Sequence, residues 1–228
     1  ALEQDKDLLR VREHGINWAA HRGYVRKLYE QLKEDPYFVD YMNALQEPGF
    51  DDDLNLIQLF FCNQPDDDQD LYNLLEDQSL YWADDIAYVC NVILAQLAGM
   101  KAGMGFPAHP SLFNNQEDRD FATGLLAHSL IHYKEYASFI EKFAQNWDLE
   151  RIAGTDSILI ILGISEAVAF PQIPIKVTLN EIVEISKYYS TENSKMFVNG
   201  ILDKVIKHLT QEGVVSKRGR GLVEKQKK

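Results

Sequence analysis

The sequence is poor in cysteine, with Cys62 and Cys90 alone among 228 residues. That excludes a disulfide scaffold and a thiolate zinc site, and it suits a reducing compartment. No apolar run approaches the roughly 18–20 residues that a helical membrane span needs. The longest, Ile158 to Ile164, stops at Ser165 and Glu166. No signal-peptide pattern opens the chain, which begins with Ala1 rather than Met in charged helical sequence and reads as cut internally. Seven prolines and 13 glycines exclude collagen-like and low-complexity composition.

Catalytic signatures are also missing. Gly103-Met104-Gly105 lacks the helix and the Lys-Ser/Thr pair of a phosphate loop. There is no GxSxG elbow, and neither cysteine neighbours a plausible base. His128 and His132 lie one helical turn apart, but Ser129 stands where a zinc-binding HExxH helix needs Glu, so the pair reads as an ordinary helix face. Asp66, Asp68 and Asp70 imitate the start of a calcium loop. Leu71 occupies its glycine position and Asp77 its bidentate glutamate position, so the run reads as a solvated helix start. The sequence therefore points to a binding protein without cofactor or metal.

What is present is an apolar content of 46%, enough for a buried core, and a net charge of −12. The charge is uneven. Residues 201–228 carry 8 basic against 3 acidic side chains, whereas residues 1–200 carry 15 against 32. An acidic body with a basic tail is a poor general nucleic-acid binder, though it suits a restricted RNA surface or a basic protein partner.

Apolar periodicity is helical throughout. Residues 1–46 show helical stripes broken at Asp35-Pro36, because a residue before proline leaves the α region. Helices are expected from Leu54 to Cys62, from Leu71, and from Ser79 to Leu97, where Trp82, Ile86, Val89, Ile93 and Leu97 mark one face. Residues 99–115 read as a linker. Helices through Phe121 to Leu130 and Tyr136 to Phe143 follow. Leu149 to Ala169 reads as a buried central helix, with a strand over Ile158 to Leu162 as the competing reading. Thr178 and Glu181 form a capping-box pattern that should open the next helix. Ser190-Thr191-Glu192 should cap the last one, which ends at Gly213. The expected fold is all-α: a helical region 1–98, the linker, a helical domain 116–213 and a flexible basic tail 214–228.

Three segments carry a resemblance. They are Trp147-Asp148-Leu149-Glu150-Arg151-Ile152, then Ile173-Pro174 through Val177, Asn180-Glu181, Glu184 and Lys187, and finally Phe197-Val198-Asn199-Gly200-Ile201-Leu202-Asp203. The combination IPxxVxxNExxExxK…FVNGxLD resembles the NusB family of transcription antitermination factors. Similarity is strong over 147–211 and weaker back to Gln116. Residues 1–115 resemble the enlarged form of that family, through Gln78-Ser79-Leu80-Tyr81-Trp82 with Asp84-Asp85.

The resemblance implies a NusB-like helical bundle with an additional helical N-terminal region. It implies a cytoplasmic bacterial protein, with no enzymatic activity and no membrane, that binds boxA-type single-stranded RNA together with ribosomal protein NusE. The setting it implies is rRNA synthesis by RNA polymerase. The implied RNA-binding residues are Tyr189, Asn193, Lys195 and Phe197. Aromatic rings can stack on unpaired bases, an amide can read a base edge, and an ammonium can meet phosphate. Each also has a plain reading: Phe197 and Tyr189 as packing residues, Asn193 and Lys195 as first-turn residues. The implied NusE contacts are Glu150 and Asp156, whose plain reading is a solvated helix end.

Asn199 reads as structural, satisfying backbone groups of the 170–176 loop. The Arg-rich first helix on which the family's RNA affinity leans is represented only by Arg10, Arg12, Arg22, Arg26 and Lys27, interleaved with acids. Alternative readings are the RNA-binding module of an rRNA cytosine methyltransferase, and a helical adaptor that makes only protein contacts.

Overall fold

The computed structural model describes residues 5–63, 68–144, 153–191 and 194–222. Among them every regular element is helical and no strand occurs. Backbone contacts divide the chain into two units, 1–111 and 112–228. The first carries 20 acidic and 8 basic residues, a net −12; the second carries 15 of each.

The first unit contains α1 (Lys6–Glu13), a short 3-10 turn (Trp18–His21), α2 (Arg22–Glu34), α3 (Pro36–Met42), α4 (Phe50–Cys62), α5 (Gln69–Glu76) and α6 (Trp82–Ala98). The break between α2 and α3 falls at Asp35, extended in front of Pro36, which takes the first helical position where its missing N–H costs nothing. Helix α4 starts four residues earlier than the apolar stripe suggests. Asp52 accepts the Gly49 N–H at 2.8 Å, and Asp51 to Asp53 lie in the positive first turn. Asp68 caps α5, accepting the N–H groups of Asp70 and Leu71, and also accepts the buried Tyr24 hydroxyl at 2.8 Å. Burial first, then Asp68, pushes the Tyr24 phenol well above its ordinary range.

The second unit contains α7 (Gln116–Ile131), α8 (Tyr133–Phe143), α9 (Gly154–Ala169), α10 (Ile175–Tyr189) and α11 (Ser194–Gln211). Asn115 caps α7 through the Asp118 N–H. The Ile-rich stretch 158–162 is helical, in α9, and the strand alternative is wrong. The expected start of that helix at Leu149 lies outside the described residues; Ala153 is extended and helical geometry begins at Gly154. Helix α9 is buried nearly all round because α7, α8, α10 and α11 all pack on it. At Gly163 a Cβ would lie 2.6 and 2.9 Å from the two methyls of the fully buried Leu202, so glycine sets the α9–α11 approach.

One expected cap and one expected loop anchor are corrected. Thr178 lies inside α10, which starts after Pro174. It is fully buried and donates to the buried Glu166 at 2.6 Å, tying α10 to α9. The pattern matched a capping box, but Pro174 had already set the helix start one turn earlier. Asn199 is exposed on α11 and is not the anchor of the 170–176 loop.

That anchor comes from the tail, whose expected flexibility is corrected over 214–222. Val215 joins the core. Lys217 Nζ donates to the carbonyls of Ala167 (2.9 Å) and Phe170 (3.2 Å), and the Arg218 N–H donates to Pro171 O. A lysine at the end of α9 meets the negative pole of that helix. Its pKa is lowered by burial, with Glu166 acting in the opposite sense.

Candidate nucleic-acid interface

The corner between α10 and α11 is built on one buried carboxylate. Asp156, in the first turn of α9 and 3% exposed, accepts the hydroxyls of Ser190 and Ser194, the latter at 2.8 Å. Ser190 is extended at the end of α10. The Thr191 and Ser194 hydroxyls lie 2.8 Å apart, and since the Ser194 proton goes to Asp156, Thr191 is the donor between them. The Ser194 N–H donates to Thr191 O. A carboxylate out of water needs such partners, and the α9 N-terminus adds favourable field. The cap expected from Ser190, Thr191 and Glu192 is thus a cross-helix clamp through Asp156, with Glu192 outside the described residues.

This clamp sets what the corner presents. Lys195, the second residue of α11, is exposed and has no carboxylate at ion-pair distance among the described residues. Tyr189 is half-buried. Phe197 is 4% exposed and belongs to the core with Val198 and Ile201, so its expected stacking role is corrected. Asn193 and Glu150 lie outside the described residues. Asp156 is corrected as a protein contact: it is buried and already holds two hydroxyls.

One surface aromatic escaped the motif. Tyr188, near the end of α10, is 55% exposed, and Met196, near the start of α11, is 63% exposed. The signal was in the sequence, because the inward stripe of α10 runs Thr178, Ile182, Ser186 and so passes Tyr189, leaving position 188 outward. Lys187 is paired with Glu184 at 2.6 Å, whereas Lys195 has no such pair among the described residues.

The residues 110–207 that hold this corner match the family model described as the NusB family. This stretch is a NusB-family domain. A transcription antitermination protein NusB of Salinibacter ruber is 41% identical over 105 residues, covering 46% of this chain and 66% of that protein. Its namesake in Chloroherpeton thalassium is 39% identical over 106 residues (46% and 50%). That of Methylacidiphilum infernorum is 42% identical over 93 residues (41% and 65%). The chain thus spans between half and about two thirds of these relatives. No solved structure matches it.

Metal chemistry finds little purchase. Among the described residues one group, Asp5, Asp7 and His109 in the first unit, brings carboxylates and an imidazole together. Gln96 Nε2 lies within reach of the Pro107 and Ala108 carbonyls and 3.1 Å from His109 Nδ1, so it donates to that nitrogen. The ring proton then sits on Nε2, facing Asp5 and Asp7 at 3.7 and 3.6 Å, where a metal would need a lone pair. His128 and His132 stack at 4.5 Å, and the second pairs with Glu135 at 2.9 Å. Among the described residues no helix is long and apolar enough to cross a membrane.

Proposed function

We propose that this protein is a transcription antitermination factor that binds boxA-type single-stranded RNA jointly with ribosomal protein NusE, in rRNA transcription by bacterial RNA polymerase, and that it catalyses nothing. The observation that carries the reading is the α10–α11 corner. There the buried Asp156 clamp joins the end of α10, which carries the exposed Tyr188, to the start of α11, which carries the exposed Lys195, inside the family-matched domain. Stacking of a base on Tyr188 and a phosphate contact from Lys195 are the two interactions such a corner offers to an unpaired strand. Tyr189 and Asn193 lie next to it in the chain and fit the same strand.

The electrostatics argue for a joint site. A unit with equal numbers of acids and bases gains little from counterion release. Cationic surface from NusE supplies what the chain lacks, so binding is cooperative. Anisotropy titration of labelled boxA RNA tests this. The chain alone binds weakly, and NusE tightens binding at least tenfold. The variant Lys195→Ala with Tyr188→Ala loses several-fold and lowers the salt slope by about one. No gain with NusE overturns the reading. Unchanged RNA affinity in the double variant, with NusE binding intact, favours the helical adaptor instead.

A further inference from the structure

The first unit holds the whole net charge of the protein, and one cleft sets three of its carboxylates, Asp40, Glu47 and Asp52, beside aromatic rings. Helix α3 turns Tyr37, Asp40 and Tyr41 to one face, since positions three and four apart share a side of a helix. Helix α4 faces them with Leu56, and the connecting loop supplies Glu47 and the fully exposed Leu45. The cleft encloses about 640 Å³. Its described lining contains no lysine or arginine.

The Tyr41 hydroxyl donates to Asp53 at 2.6 Å, and Tyr37 is half-buried. Asp52 is engaged by the Gly49 N–H. Asp40 and Glu47, by contrast, are exposed and lack an ion-pair partner among the described residues. Two uncommitted carboxylates, two tyrosine rings and the exposed Leu45 form a site for a group that is cationic at its head and apolar along its stem. An arginine side chain has that chemistry: its planar fork pairs with carboxylates and stacks on rings, while its methylenes cover aliphatic surface. A polyanion is repelled by the same field.

From this cleft we infer that the first unit is a docking site for an arginine-bearing, extended segment of a partner protein. The inference does not depend on the RNA reading, which concerns the other unit, and either can fail alone.

The test uses the full chain and a fluorescein-labelled seven-residue peptide with three arginines spaced by glycines. It is titrated at about 0.15 M salt, where the Debye length of about 8 Å suppresses diffuse attraction. The same peptide with citrulline in place of arginine is the uncharged control. The arginine peptide binds and the citrulline peptide does not. The variant Asp40→Asn with Glu47→Gln weakens binding about tenfold, as expected for two lost charge-assisted contacts. The variant Glu76→Gln with Asp77→Asn removes the same charge from the exposed end of α5 and changes binding less than twofold. All four side chains are exposed, so both variants keep the fold. Equal losses in the two variants would reveal a diffuse acidic field and overturn the inference. So would failure of the arginine peptide to bind, or equal binding of both peptides. Weaker boxA RNA binding by the first variant, with peptide binding unchanged, would make nucleic acid the occupant and overturn it as well.

Discussion

The two units solve the same problem, packing short helices, with different materials. In the second, 17 described apolar residues are buried in one cluster around α9 and α11. In the first, only Tyr24, Ile86 and Leu97 reach that degree of burial among the described residues, and Ile16, Trp18, Val25 and Tyr29 remain exposed. The first unit carries a net −12 and the second none. A thin core with strong self-repulsion opens more readily than a dense neutral one, because burial is the main favourable term and net charge opposes compaction. The difference teaches that rigidity is concentrated where the family match lies, and charge where it does not.

Both units nevertheless place one buried carboxylate at a helix N-terminus, and removing each sharpens the contrast most. Asp156→Ala strips two hydroxyls of their acceptor inside the dense unit and is expected to cost roughly 2–3 kcal/mol. Asp68→Ala removes a cap and the Tyr24 contact in the looser unit, with an expected loss of roughly 1–2 kcal/mol. Urea unfolding followed by circular dichroism measures both, and a larger loss at Asp68 would break the comparison.

Gly163→Ala comes next. Its new methyl collides with Leu202, which is too buried to turn aside, while alanine repays part of the strain through helix propensity. A net loss of about 1–2 kcal/mol is expected, with hydrogen exchange fastened on α9 and α11 showing the change. A neutral result would mean the core yields more than its burial indicates.

The smallest effect is a pH dependence. Burial first, then the stacked His132, lowers the pKa of His128 from 6.5, with Glu135 opposing, and His128 Nδ1 is buried without a hydrogen-bond partner. The unfolded chain therefore takes up this proton at a higher pH than the folded one. Stability present above about 6.5 is lost as pH falls through the folded-state value. His128→Gln is expected to flatten the thermal stability profile between neutral pH and pH 5, and an unchanged slope would assign the acid sensitivity elsewhere.

Much of this was legible beforehand where periodicity speaks. Phe197, Val198, Ile201, Leu202, Val205 and Leu209 read as one inward face, and they are buried. The break at Asp35-Pro36 and the helical nature of 158–162 followed from backbone chemistry and segment length. The site was less legible. Phe197 satisfies a motif and a core stripe equally well, and only burial decides between them. Asp156 looks like any acidic first-turn residue until Ser190 and Ser194, 34 and 38 positions away, are found on it. Thr178 carries the pattern of a cap because capping and buried hydroxyl pairing use the same residue types.

Local sequence, then, determined helix, break and charge distribution, because these depend on neighbours within a few turns. Tertiary structure alone decided which polar groups face inward. Asp156, Glu166 and Thr178 are buried because distant segments bring them partners, and Lys217 is held by carbonyls 47 and 50 residues upstream. A hydroxyl or a charge enters a core only when its complement arrives with it, and that complement is never visible in the sequence around it.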